Sequence, residues 1–324
     1  MAAYTEVRFE GTPEEVNAAW VEARKGGIGG SDLSAIMGIN KYTTPLDVWL
    51  VKTGRADSPD LSGKEAVEWG NRLEDTVAAK FAENHPELKV KRRNAMLVSK
   101  ERPWAFANLD RTVRDADGRM GVLEIKTCGS RRASDWDDGV PAYYLAQVTH
   151  YLGITGWGYA WVAVLIGGQE YREYYVPRDE EDIAAAIGAA DGFWHGFVET
   201  DTPPALVGAP SEGGSLAAWH GDPSAEFGFE NDADVPEIDE IESLKWRISE
   251  LQARKAELEN SLKMRIGDSK GIETQTRRIT WVRSKRASFD KRRFDADHPG
   301  ETEPYTTVST RDGGLRVTEK ERTM

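Results

Sequence analysis

The chain is poor in cysteine: Cys128 stands alone among 324 residues. That excludes a disulfide framework, a multi-cysteine zinc site and an iron–sulfur cluster. Long apolar runs are missing as well. No segment approaches membrane-spanning length and the N-terminus lacks a signal-peptide pattern, so a soluble, cytoplasmic protein is expected. Positive charge is in deficit, with 42 Lys and Arg against 55 Asp and Glu and a net charge of −13. Bulk electrostatics would repel nucleic acid, so any DNA contact must come from local basic patches and bound metal ions. The length suits one large domain or two smaller ones, and no internal repeat is present.

Residues 1–200 read as one α/β unit. Thr12 and Pro13 start a first helix, a second is expected from Ser31, and a third runs from Thr44–Pro45 to Lys52–Gly54. A fourth, about 67–84, places Leu73, Val77 and Phe81 at helical spacing. Strands are expected around 89–98, 104–114 and 120–127, then a helix over 142–152, strands over 157–165 and 169–176, and a helix from 178 to about 198. Residues 201–236, rich in Pro, Gly, Ser and acids, read as a linker. Beyond it, Ile241, Leu244, Ile248, Leu251, Leu258 and Leu262 keep a 3/4 spacing that Lys255 interrupts. An αα-hairpin or a short coiled coil would use such a helix. From Lys263 to Arg293 there are eleven Lys or Arg against three Asp or Glu, interleaved with Trp281, Phe289 and, just beyond, Phe294. This stretch suits a solvated arm, a grip on the DNA backbone or a protein-docking surface.

Most of the functional information lies in residues 108–126. Asp110 follows the apolar, aromatic stretch Trp104–Leu109, where a lone acid is costly to bury unless it is paired or ligates a cation. After a turn-rich segment comes Glu124-Ile125-Lys126 in a strand-like run. Alternation puts Glu124 and Lys126 on one face, with Leu123 and Ile125 toward a core. Such a tripeptide is common in solvated hairpins. Two carboxylates beside a lysine are also the hard oxygen ligands and the cation that metal-assisted phosphodiester hydrolysis needs.

Other residues qualify by position. Glu74, with small Gly70 and Ala78 one turn either side, is a helix-borne acid for a second metal. Gln147 and Tyr151 share a helix face, as the polar edge of a core helix or as contacts to a scissile phosphate. Arg24 and a loop of four glycines precede Ser31, which is expected to cap a helix and with it to bind an anion; a flexible loop with an ordinary cap fits the same pattern. Cys128 reads as a small buried hydrophobe.

The order of these pieces carries a resemblance. Arg24…Gly-Ile-Gly-Gly-Ser31-Asp32, Ser34 to Trp49 and Gly70-x-x-Leu-Glu74 come first. Asn108-Leu-Asp110, Leu123-Glu-Ile-Lys-Thr127 and Gln147-Val-Thr-His-Tyr151-Leu follow. Over about residues 15–200 the chain resembles the YqaJ viral recombinase family, related to lambda-type exonuclease and the PD-(D/E)xK nuclease superfamily. The superfamily's proline–aspartate pair stands here as Leu109-Asp110.

The resemblance implies a restriction-endonuclease-like core, a mixed central sheet flanked by helices, here with a C-terminal helical and basic extension over 237–324. It implies an Mg²⁺-dependent alkaline exonuclease (two ions per site, Mn²⁺ able to substitute) that digests duplex DNA ends 5′→3′ and leaves 3′ overhangs. Carried over, Asp110, Glu124 and the Ile125 carbonyl are metal ligands, with Glu74 as the helix-borne acid. Lys126 is the catalytic lysine, Gln147 the active-site glutamine, and Arg24 with Ser31 the 5′-phosphate pocket. Members of this kind can form toroidal trimers and act beside a single-strand annealing protein of the RecT/Beta type in phage recombination. A structure-specific or restriction-like endonuclease, and a DNA-end-binding recombination mediator that does not cut, are the competing expectations.

Overall fold

The structure, a computed structural model, describes residues 2–59, 63–222, 226–228, 230–231, 234–285 and 287–306. It forms two compact units, Met1–Gly221 and Asp222–Met324.

The first unit opens with β1 (Tyr4–Val7), which the sequence pattern does not reveal, and α1 (Pro13–Lys25). A reciprocal cap between Thr12 and Glu15 starts α1. Then come α2 (Gly30–Ile36), α3 (Pro45–Lys52) and α4 (Glu65–Asn84). Thr44 and Asp47 cap α3 in the same reciprocal way, with Pro45 in its first turn. The strands follow: β2 (Lys89–Arg92), β3 (Met96–Ser99), β4 (Phe106–Asn108), β5 (Arg111–Arg114) and β6 (Met120–Cys128). A 3₁₀ segment (Ser130–Trp136) leads to α5 (Ala142–Thr155), β7 (Tyr159–Ile166), β8 (Glu170–Pro177) and α6 (Glu180–Phe193), whose last turn widens to a π-helix over Trp194–Val198.

The five-stranded sheet has the order β2-β5-β6-β7-β8 and a smaller sheet the order β1-β3-β4. Among the named strands of the described residues, only β6 and β7 pair in parallel, with α5 as their crossover. The expected mixed sheet flanked by helices is therefore present. Two expected strands are each divided. Residues 89–98 and 104–114 change sheets midway, β2 and β5 joining the large sheet while β3 and β4 join the small one. An apolar periodicity does not report a change of partner. Asp110 lies in the gap between β4 and β5.

Leu123 and Ile125 pack with Val77, Ala78 and Phe81 of α4. Val122, on the opposite face, packs with Val148 and Leu152 of α5. Each buried aliphatic side chain is worth roughly 1.5–3 kcal/mol, and the alternation fixes which side of β6 Glu124 faces.

The stretch expected as a linker, 201–236, contains α7 (Glu212–His220), and the first unit runs to Gly221. Buried Glu212 accepts the backbone amides of Val207, Gly208 and Ala209. Ser215 donates to Asp47 at 2.5 Å, and Trp219 meets Trp49 edge-on at 5.1 Å. A loop rich in turn formers is thus pinned by one acid that composition does not single out.

The second unit contains α8 (Glu237–Ile266), a hairpin of β9 (Gly271–Glu273) and β10 (Arg278–Thr280), and α9 (Lys291–Asp297). The amphipathic stretch is one continuous helix of 30 residues rather than an αα-hairpin. The basic stretch folds instead of trailing. Arg283 donates to the carbonyls of Gly267, Asp268 and Ser269 just past α8 and lies 4.5 Å over Trp281. Residues 307–324 lie outside the described residues. Among those described, no helix is long and apolar enough to cross a membrane.

Candidate active site

Glu124 is only 2% exposed, a burial that a carboxylate tolerates only with partners. Its Oε1 accepts from Lys126 Nζ at 2.5 Å and from Gln147 Nε2 at 2.7 Å. Its Oε2 is buried and has no hydrogen-bond partner. Burial, reinforced by the Asp110 charge, pushes the Glu124 carboxyl up to about 8. Burial alone would lower the Lys126 ammonium, but the Glu124 and Asp110 carboxylates outweigh it and hold Lys126 above the usual lysine range. Lys126 also lies 4.7 Å over the Tyr144 ring.

Asp110 is fixed from the neighbouring strand: the backbone amide of Ile125 donates to its Oδ2 at 2.8 Å. Burial pushes its carboxyl up, only partly offset by Lys126 and that amide. A cleft of about 230 Å³ collects Asp110, Glu124, Lys126, Gln147 and Tyr151 with Arg24, Ser31 and Trp20. A second, of about 260 Å³, shares Asp110 and Lys126 and adds Ile125, Gly70 and Glu74.

Glu74 departs from expectation. It lines the second cleft, but its carboxylate accepts from Arg111 and, at 3.1 Å, from Arg92. Among the described residues, no three His, Cys, Asp or Glu side chains converge closely enough to hold a metal. The guanidiniums claim Glu74 because Arg111 is itself buried and needs acceptors, which Glu74, Asp75 and the Asp110 carbonyl provide. Gly70 faces Thr127 of β6, whereas Ala78 is part of the core.

Gln147 is held between two partners, its Nε2 also donating to the Tyr151 hydroxyl at 2.8 Å. Burial holds the Tyr151 phenol far above its ordinary range. Gly30 lets α2 approach this pair. A Cβ there would stand 2.6 Å from Tyr151 Cε1 and 3.0 Å from the Gln147 carbonyl.

The glycine loop is anchored rather than flexible. Ile28 forms a parallel bridge to Ala105, donating to Trp104 O at 2.7 Å, and Gly27 has no room for a Cβ against that carbonyl. The expected cap at Ser31 is corrected. Helix α2 starts at Gly30, and Asp32 in its first turn accepts the Gly29 amide at 2.9 Å. The Ser31 hydroxyl is taken instead by Arg24, at 2.9 Å.

Lys52, Arg111 and Trp20 also belong to the site's surroundings, and the sequence pattern does not single them out. Lys52, with a side chain 3% exposed, bonds Asp32 Oδ2 and the Arg24 carbonyl, both at 2.7 Å. Trp20 carries the Arg24 guanidinium 4.6 Å over its ring. Trp20, four residues before Arg24, was legible as an i,i+4 pair. Lys52 follows an apolar helix face and carries no local signal.

The site therefore unites Asp110, Glu124, Lys126, Gln147 and Tyr151, with Arg24 and Ser31 lining the same cleft. Asp110 and Glu124 supply hard oxygen donors, and the unpartnered Glu124 oxygen fits a small divalent cation.

A profile of the YqaJ-like viral recombinase domain matches residues 19–158. The uncharacterized protein YqaJ of Bacillus subtilis (strain 168) is 36% identical over 254 residues, 77% of this chain and 78% of that protein. Among solved structures, the alkaline exonuclease LHK-Exo of Laribacter hongkongensis superposes with a TM-score of 0.46 at 16% identity, over 57% of this chain and 93% of that one. A phage-related exonuclease from Haemophilus somnus 129PT does so with a TM-score of 0.40 at 12% identity, over 54% and 96%.

Proposed function

Because the chain belongs to the YqaJ-like viral recombinase family, we propose that it is a metal-dependent exonuclease of duplex DNA. It would degrade linear ends 5′→3′, leave 3′ single strands for a RecT/Beta-type annealing protein, and act in the host cytoplasm. The observation that carries this reading is the buried Glu124 carboxylate beside Asp110, one oxygen gripped by Lys126 and Gln147 and the other without a partner. Asp110, Glu124 and the Ile125 carbonyl would hold Mg²⁺, or Mn²⁺ in its place. Glu74 would serve a second ion once DNA drew Arg92 and Arg111 away from it. When bound, the ions supply a water acidified for attack and a counter-charge for the departing 3′-oxygen.

The side chains divide the remaining work. Lys126 stays protonated between two carboxylates and offsets charge growing on the attacked phosphate. Gln147 fixes the rotamer of Glu124 through one amide proton and is itself fixed by Tyr151 through the other. Arg24, backed by Trp20 and bonded to Ser31, presents a guanidinium to a terminal phosphate.

Purified protein should shorten linear duplex in the presence of Mg²⁺, faster with 5′-phosphate ends, and Lys126→Ala should abolish this. Intact linear DNA with both Mg²⁺ and Mn²⁺ would refute the enzyme reading. Cutting of closed circles would indicate an endonuclease, and end binding in EDTA without nucleotide release a mediator.

A further inference from the structure

Helix α8 carries an apolar stripe left open to solvent, with Leu244 43%, Ile248 52%, Leu251 70% and Leu258 51% exposed. We propose that this stripe is the seam of a parallel, in-register, two-stranded coiled coil formed with a second copy of the chain.

The residue types select this arrangement. Written as heptads, Ile241, Ile248, Lys255 and Leu262 occupy the first core position, and Leu244, Leu251 and Leu258 the second. β-branched residues at the first position with leucine at the second favour two parallel strands over higher orders. Lys255 sets the register. Opposite its own copy it spoils one layer, whereas a shift by one heptad would set each lysine against an apolar residue and spoil two. Its ammonium lies 3.2 Å from Glu259, an arrangement that takes the charge to the rim of the stripe while the stem stays along it.

The flanking charges agree. In the parallel pair Glu240 of one copy faces Lys245 of the other, Arg254 faces Glu259, and Arg247 faces neutral Gln252. An antiparallel pair with Ile248 opposite Leu251 would place Arg247 against Arg254 twice along one flank. Complementary flanks decide orientation more than they add affinity.

The test uses the full chain and does not depend on nuclease activity. Sedimentation equilibrium should give twice the subunit number for the wild type as for the Leu244→Glu, Leu251→Glu double variant. The double variant should weaken self-association at least about 100-fold, since two leucines per helix leave the seam. A wild-type monomer at 50 µM, or the same subunit number in both proteins, would overturn the proposal. In a Cys128→Ser background, Leu258→Cys should oxidise to a disulfide-linked pair, because in-register parallel strands bring the two sulfurs together. Ser249→Cys, on the outer face, should not. No cross-link at 258, or equal cross-linking at both positions, would overturn it even if the glutamate variants fail to fold.

Discussion

The Ile125 backbone amide donates to the Asp110 carboxylate at 2.8 Å, so the strand carrying Glu124 and Lys126 also fixes the acid beside it. Asp110→Asn keeps an oxygen to accept that amide while removing the charge. The variant should melt close to wild type and lose at least about 100-fold in Mg²⁺-dependent cleavage. Calorimetry with Mn²⁺ should show weakened ion binding. Full activity would remove Asp110 from the metal site.

Cation binding should strengthen with pH. Glu124 sits near 8 by burial and the Asp110 charge, so below that pH an incoming ion must displace a proton. The rise in Tm on adding Mg²⁺ should therefore be larger at pH 8.5 than at pH 6.5, and absent at both in Glu124→Gln. Equal rises at the two pH values would contradict this.

His150 sets a second pH dependence, of stability. Buried, with Nδ1 unpartnered and Nε2 donating to Phe106 O at 3.1 Å, it is held down to about 4 from an ordinary 6.5. The unfolded chain therefore takes up the proton first, and stability falls as pH drops from 6.5 toward 4. The total is roughly 3 kcal/mol, from the 1.36 kcal/mol per unit linkage. Urea titrations should show this slope, and His150→Gln, which keeps a donor for Phe106 but does not titrate, should flatten it.

Gly30→Ala should destabilise by about 1–3 kcal/mol, because the Gln147 backbone cannot yield to the added carbon. It should also slow cleavage by displacing Gln147. Gly188→Ala, in α6 with nothing within 4 Å, should instead stabilise by about 0.5–1 kcal/mol. Chemical denaturation of both variants compares the two effects.

Arg24→Gln should erase the advantage of 5′-phosphorylated over 5′-hydroxyl ends, by about tenfold or more, the worth of a charge-assisted pair. Parallel digestions of the two substrates measure the ratio directly. An unchanged ratio would place the phosphate elsewhere.

The strand alternation around Glu124 and Lys126, the capped starts of α1 and α3 and the helix spacing of Gln147 and Tyr151 were legible because each rests on neighbours in the chain. The hold of Arg111 on Glu74 is not legible in the sequence, because the two lie 37 residues apart. Lys52 carries no local signal for a similar reason: its partner Asp32 lies on another helix, 20 residues off. The glycine loop reads in the sequence as an anion cradle or a flexible loop, whereas Gly27 and Gly30 also answer crowding from Trp104 and Tyr151, which spacing does not reveal.

Asp110 occupies the two-residue joint at which the chain leaves the small sheet for the large one. An acid mounted on a hinge between two plates keeps its aim only while the plates stay in step. Loosening β1 or β3, far from any reacting atom, would then blunt cutting before the fold itself gives way, and heat should silence this molecule ahead of its melting point.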